Sequence, residues 1–145
     1  MRIGFIVARL NEEKGVIRRL SLALAKEMRR QGEIVELIPF TKTSMLNPPL
    51  GKLKNFDCVL IANVGLQSAY YSLLKKLKFI RKPFIAISFG SDIREHTNKI
   101  VNLFNKISVS AIDLLIVINP DLVEIAKKRG YSNILYVHNW SEAFA

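Results

Sequence analysis

The chain has 145 residues, enough for one domain but too few for two, and half of them are hydrophobic, which excludes a disordered protein. One cysteine excludes a disulfide framework and a cysteine-based metal site, and two histidines exclude a site built from several histidines. The net charge of +10 leaves nucleic acid, anionic lipid and phosphorylated substrates open as partners.

Strand-like and helix-like segments alternate along the chain. Compact apolar runs predict six strands, at residues 3–7, 34–38, 57–62, 84–88, 114–118 and 134–137. Apolar residues at helical spacing predict four helices, which begin near Ile17, Leu66, Lys99 and Pro120. Two prolines and a glycine within residues 41–55 predict a loop between the second and third strands. Gly32 and Gly130 are typical helix stops.

This alternation predicts one Rossmann-like α/β domain over residues 1–145, with a doubly wound, mainly parallel sheet of about six strands and helices on both faces. The expected strand order is 3-2-1-4-5-6, with right-handed crossovers. In such sheets ligands bind outside the carboxyl ends of the strands. The segments that follow the strands are therefore the candidate functional positions.

The segment after the fourth strand carries the clearest chemistry. The Asp92 carboxylate can accept a proton, and the Arg94 guanidinium can bind a phosphate or a hydroxyl. The competing interpretation is structural, with Asp92 capping the next helix and Glu95 completing a capping box. The first loop, residues 9–15, precedes a helix whose amides suit an anion, but it matches no dinucleotide or P-loop motif and also suits an ordinary connection.

The predicted helix that begins at Leu66 has two different faces. An apolar stripe is expected to pack on the sheet; its members are Leu66, Tyr70, Leu73, Leu74 and Leu77. The outward face is expected to contact an anionic membrane through Tyr71, Lys75, Lys78, Phe79 and Lys82. A solvated basic face is the alternative, because charged outer faces are common on helices.

Four segments, in order, resemble a known family. Residues 24–32 are similar to its pattern L-A-x-x-L-x-x-x-G, and residues 89–93, Phe-Gly-Ser-Asp-Ile, are similar to its H-G-S-D-I. Residues 113–120 are similar to its D-x-I-I-x-V-S-x strand, and residues 136–142 are similar to its V-I-P-N-G-V-D. The chain resembles the N-terminal domain of GT-B type glycosyltransferases, the retaining group known as family 4.

The resemblance implies the acceptor-side half of a nucleotide-sugar-dependent hexosyltransferase, which is inactive without a C-terminal donor-binding domain from the same gene or a separate subunit. This chain would hold no cofactor and no metal, the nucleotide sugar would be the donor of the complete enzyme, and the acceptor would be a sugar or lipid-linked. Asp92 is the catalytic candidate nearest the reacting hydroxyl, and His96 is a second candidate. The acceptor or phosphate would meet Asn11, Gly15, Asn63, Gly90 and Arg94.

The chain departs from the family pattern at its histidines. Phe89 stands where the family has histidine, and Ala62 and Asn63 end the third strand where a histidine is common. The alternative is a non-catalytic Rossmann-like module that binds a phospholigand or nucleic acid. Nucleic acid is not expected, because no reading motif or aromatic platform is present. The expected location is cytoplasmic, peripheral on the inner membrane face.

Overall fold

The computed structural model describes residues 1–8, 10, 15–90, 92–94 and 98–137. Within them, six strands form one sheet in which every neighbouring pair is parallel. The strands are β1 (Arg2–Ala8), β2 (Ile34–Phe40), β3 (Cys58–Ala62), β4 (Phe84–Ser88), β5 (Leu114–Val117) and β6 (Ile134–Tyr136). The predicted α/β class with a parallel sheet is therefore confirmed.

The strand order is β2-β1-β3-β4-β5-β6, so the predicted order 3-2-1-4-5-6 is wrong. All five residues of β3 are buried, and the strand pairs with β1 on one side and β4 on the other. β2 is instead an edge strand, and its Glu36 and Pro39 suit that position because proline donates no ladder hydrogen bond. β5 lies inside the sheet, as predicted.

Six helices occur in the part of the chain that the structure describes. They are α1 (Val16–Arg30), α2 (Lys42–Leu46), α3 (Leu50–Leu53), α4 (Leu66–Lys76), α5 (Lys99–Val109) and α6 (Asp121–Arg129). The loop predicted for residues 41–55 is wrong, because it contains α2 and α3. A reciprocal capping box starts α2: the Ser44 amide donates to Thr41 Oγ1 (3.2 Å) and the Thr41 amide donates to Ser44 Oγ (2.8 Å).

Helices cover both faces of the sheet. On one face α1 packs its predicted apolar stripe, Ile17, Leu20, Leu24 and Met28, against β1, β2 and β3. On the other face the core includes Leu53 of α3, Tyr71 of α4 and Leu122 of α6. The Phe56 ring also packs on this face, so close to Gly4 that a Cβ there would lie 2.6 Å from Cδ2 of the ring. Glycine at this position lets the ring contact the β1 backbone.

The orientation predicted for α4 is wrong for Leu66, Leu73 and Leu77, although Tyr70 and Leu74 of the predicted apolar stripe pack against the core. The most deeply buried residues of α4 are Gln67, Ser68, Ala69, Tyr71 and Ser72, whereas Leu66, Leu73 and Leu77 are exposed. Tyr71 of α4 instead enters the core, and Ser68 Oγ lies 2.7 Å from Ser108 Oγ of α5, so small side chains form the contact between α4 and α5. The Tyr71 ring is buried beside Phe40 and Tyr70.

Candidate functional site

The candidate site lies at the carboxyl edge of the sheet. The chain leaves β1 toward β2 on one side, whereas β3 lies on the other side of β1, so the winding direction reverses between β1 and β3. Ligand crevices of open α/β sheets lie at such a switch point. Gly15, Asn63 and Gly90 all follow strands at this edge, as the sequence predicted. Asn11 and His96 lie outside the described residues.

The Asp92 carboxylate connects the carboxyl ends of β3 and β4. Its Oδ2 accepts a hydrogen bond from the Val64 amide (2.8 Å), and its Oδ1 accepts from Ser88 Oγ (2.6 Å) and the Gly90 amide (3.0 Å). The two turns it joins have left-handed residues, with φ of 74° at Asn63 and 127° at Gly90. A single carboxylate therefore joins two turns with left-handed residues at the carboxyl edge of the sheet.

Burial raises the pKa of the Asp92 carboxyl above its ordinary value, and the hydrogen bonds from Ser88, Val64 and Gly90 oppose that rise. The Asn105 side chain also donates to the Asp92 carbonyl oxygen (3.1 Å). Both carboxylate oxygens already accept hydrogen bonds from the protein. The geometry thus shows Asp92 orienting the turns, while its predicted catalytic role stays a prediction.

The capping interpretation of Asp92 is wrong. Helix α5 begins at Lys99, and its N-cap is Asn98, whose Oδ1 accepts a hydrogen bond from the Ile100 amide (2.9 Å). Asp92 instead accepts hydrogen bonds from residues that end two strands. Glu95, the other member of the expected capping box, lies outside the described residues.

Arg94 extends toward α6, where its Nη2 lies 2.6 Å from Asp121 Oδ2. Arg129, near the end of α6, donates to the carbonyl oxygens of Ile93 (2.9 Å) and Arg94 (2.7 Å) and to Asn102 Oδ1 (3.0 Å). Sequence reasoning missed Arg129, because a basic residue in the last turn of a helix is ordinary. The structure thus brings Asn63, Gly90 and Asp92 together but directs the Arg94 side chain toward Asp121.

Gly15 is the N-cap of α1. Within the described residues, no side chain accepts from the amides of this helix end, and its first turn contains no acid. The Arg18 side chain donates to the Leu10 carbonyl oxygen (2.9 Å), which ties Leu10 to the first turn of the helix. Free amides at a helix start favour negative charge, so this end of α1 is compatible with the predicted anion contact.

The residues predicted for membrane contact divide into three groups. Tyr71 is buried in the core, so its predicted place on an outward face is wrong. Lys75 pairs with Asp113, which also accepts from the Phe84 amide (2.7 Å), so the Lys75 charge is engaged by a carboxylate at the start of β4. Lys78, Phe79 and Lys82 follow the end of α4 and line a pocket of about 580 Å³ at the amino edge of the sheet, opposite the candidate crevice.

The remaining chemistry of the described residues is limited. They contain no group of three or more His, Cys, Asp or Glu side chains that could hold a metal ion. None of the helices that the structure describes is long and apolar enough to cross a membrane. No protein-family model matches the chain, and comparison with curated proteins gives no match. Fold and site together define a Rossmann-like α/β domain with a candidate ligand crevice at the carboxyl edge of its sheet.

Proposed function

We propose that this domain is the acceptor-binding half of a nucleotide-sugar-dependent glycosyltransferase. The observation that supports this most is the position of residues 89–93, which carry the family resemblance. Phe89 and Gly90 directly follow β4 at the carboxyl edge, and the Asp92 carboxylate accepts a hydrogen bond from the turn after β3. The resembling segment therefore lies where an open α/β sheet binds its ligand.

The turns at this edge offer groups suited to a sugar or a sugar phosphate. Asn63 has an amide side chain on a turn held in place by Asp92. Gly90 has no side chain, and no described atom lies within 4 Å of the place where a Cβ would stand. A ligand can therefore approach the backbone at Gly90 closely, while the start of α1 favours a phosphate.

In this proposal the domain does not catalyse transfer by itself. The described carboxylates at this edge are Asp92, which accepts three hydrogen bonds, and Asp121, which pairs with Arg94. Fast transfer requires the donor to be positioned against the acceptor, which is the role of a second, donor-binding domain. A cytoplasmic location, peripheral on the inner face of a membrane, belongs to the same proposal.

The test is an NMR titration of the ¹⁵N-labelled chain with monosaccharides, sugar phosphates and nucleotide sugars. We expect a sugar or a sugar phosphate to shift the amides of Val64, Gly65 and Gly90, with no turnover of any nucleotide sugar. Asn63→Gly should weaken binding and keep the turn, because glycine accepts a positive φ. Lys78→Gly is the matched control, since Lys78 has a φ of 64° at the opposite edge.

Two results would contradict the proposal. Transfer or hydrolysis by the purified chain would show that the domain is active alone. If no sugar or sugar phosphate shifts the amide resonances at the carboxyl edge, the proposal of an acceptor site there is wrong.

The second candidate, a phospholigand- or nucleic-acid-binding module, is favoured by the net charge of +10. Binding to duplex or single-stranded DNA that falls steeply with salt would favour it instead.

A further inference from the structure

Helix α4 and its C-cap carry three exposed leucines, whereas two serines of the helix are buried. The exposed fractions are 42% for Leu66, 46% for Leu73 and 66% for Leu77, and these leucines follow one another at spacings of seven and four residues, which places them on one helix face. Ser68 and Ser72 are fully buried. Rotating the helix to bury these leucines would expose Tyr71 and break the contact between Ser68 and Ser108. The leucines therefore have no place in the core of this domain.

The exposed apolar surface extends beyond α4. Phe79, which follows the helix, is 53% exposed. On the other side, the Tyr70 hydroxyl donates to the Met45 carbonyl oxygen (2.6 Å), which brings α2 beside α4, and the next residue, Leu46, is 90% exposed. We call Leu66, Leu73, Leu77 and Phe79 the α4 ridge. Exposed apolar side chains grouped along one helix in this way are typical of an interaction site.

A basic pocket adjoins the α4 ridge at Phe79. Its cations are Lys54, Lys78, Arg81 and Lys82, and no acid occurs among its described lining residues. None of the four forms an ion pair within the part of the chain that the structure describes. Nearby acids are already engaged, because Glu36 pairs with Lys52 and Asp113 pairs with Lys75. The pocket thus presents four cations whose charge the described protein does not neutralise.

We propose that the α4 ridge and the basic pocket form a docking surface for an anionic lipid bilayer. The leucines and Phe79 would enter the boundary between headgroups and acyl chains, and the four cations would contact lipid phosphates. A second copy of the chain fits poorly, because it would bring the same four cations against each other. An anionic partner with an apolar interior complements both features of the surface at once.

The direction of α4 relates this surface to the candidate crevice. The helix starts directly after Gly65, at the carboxyl edge, and ends near the basic pocket at the amino edge. Docking along its length would therefore hold the crevice beside the bilayer surface. This inference extends the peripheral location in the proposed function, but it does not depend on sugar binding, so the two can fail separately.

The experiment is co-sedimentation with phosphatidylglycerol-containing and with phosphatidylcholine vesicles, at low and high salt. We expect binding to the anionic vesicles that weakens with salt. The variant Lys78→Glu/Lys82→Glu should weaken binding by at least about thirtyfold, and Leu73→Ser/Leu77→Ser by about tenfold. Thermal unfolding followed by circular dichroism checks that each variant is folded.

Two matched variants control for charge and for apolar surface. Lys26→Glu/Lys128→Glu changes the net charge equally on other helices, and Ile34→Ser/Leu135→Ser removes two exposed apolar side chains at the sheet edges. Both should bind the anionic vesicles far better than the two test variants.

Four outcomes would overturn the proposal. The first is equal binding to both kinds of vesicle, or no binding to either. The second is that the control variants lose as much binding as the test variants. The third is that the protein binds soluble glycerol phosphate but no vesicles, and that Leu73→Ser/Leu77→Ser binds glycerol phosphate with the same affinity. That result would indicate a site for a small anion. The fourth is self-association without lipid that Leu73→Ser/Leu77→Ser abolishes, which would assign the ridge to a second copy.

Discussion

Asp92→Asn removes the charge from the carboxylate that joins β3 to β4 and hardly changes the shape of the side chain. The asparagine oxygen can keep the hydrogen bonds from Ser88 and Gly90, but its amide group then faces the Val64 amide, and two donors meet. A buried donor without an acceptor costs about 1–3 kcal/mol. For a domain of this size that corresponds to a fall in Tm of roughly 3–9 °C.

The assay is urea and thermal unfolding of both proteins at pH 7, followed by circular dichroism. Asp121→Asn is the matched control, because Asp121 is an exposed carboxylate paired with Arg94 at the same edge of the sheet. Loss of the ion pair between Asp121 and Arg94 should change the free energy of unfolding by less than about 1 kcal/mol. Equal stability of Asp92→Asn and the unsubstituted protein would refute the structural role that we assign to the Asp92 carboxylate.

The pH dependence gives a second check with a defined sign. Burial raises the folded-state pKa of Asp92 above the ordinary value of 3.8, so the folded protein holds this proton more tightly than the unfolded chain. Protonation of Asp92 therefore adds to the stability of the folded protein as the pH falls from the raised pKa toward 3.8. The same stabilisation is lost as the pH rises. Asp92→Asn lacks this contribution, so its stability deficit should widen at acid pH. A deficit that narrows on acidification would show that the hydrogen bonds outweigh burial.

Three further substitutions, one of them with a matched control, test individual contacts and the burial of Tyr71. Gly4→Ala should destabilise the protein by about 1–3 kcal/mol, because the new Cβ meets the Phe56 ring, whereas Gly51→Ala in α3, with no atom within 4 Å, should be neutral or stabilising in the same unfolding assay. Burial raises the pKa of Tyr71 to about 12, so Tyr71→Phe should remove a loss of stability between pH 10 and 12 that unfolding across this range would detect. Arg129→Met should lower the free energy of unfolding by about 1–3 kcal/mol, because the carbonyl oxygen of the buried Ile93 loses its donor, and unchanged stability would contradict that contact.

Local features of the sequence predicted the elements well. The strand at residues 84–88 was predicted at its observed bounds, and α1 and α6 end near Gly32 and Gly130, both with positive φ. Hydrophobic periodicity and glycine stops act over a few residues, so one segment contains the information. The parallel α/β class follows from the same local pattern, because alternating strands and helices with short connections fit few architectures.

The strand order, the orientation of α4 and the partners of Asp92 depend on contacts between distant segments, so only the tertiary structure decided them. β3 lies between β1 and β4, although the sequence of residues 58–62 does not determine which strands pair with it. Leu66, Leu73 and Leu77 face outward because Tyr71 fills the core and Ser68 contacts Ser108 of α5, 40 residues away, on the opposite side of α4. Asp92 resembled a helix cap in sequence, yet its partner Val64 lies 28 residues earlier. In each case a contact between residues far apart in the chain outweighed the local pattern, since burial and hydrogen bonding are settled only when the elements pack together.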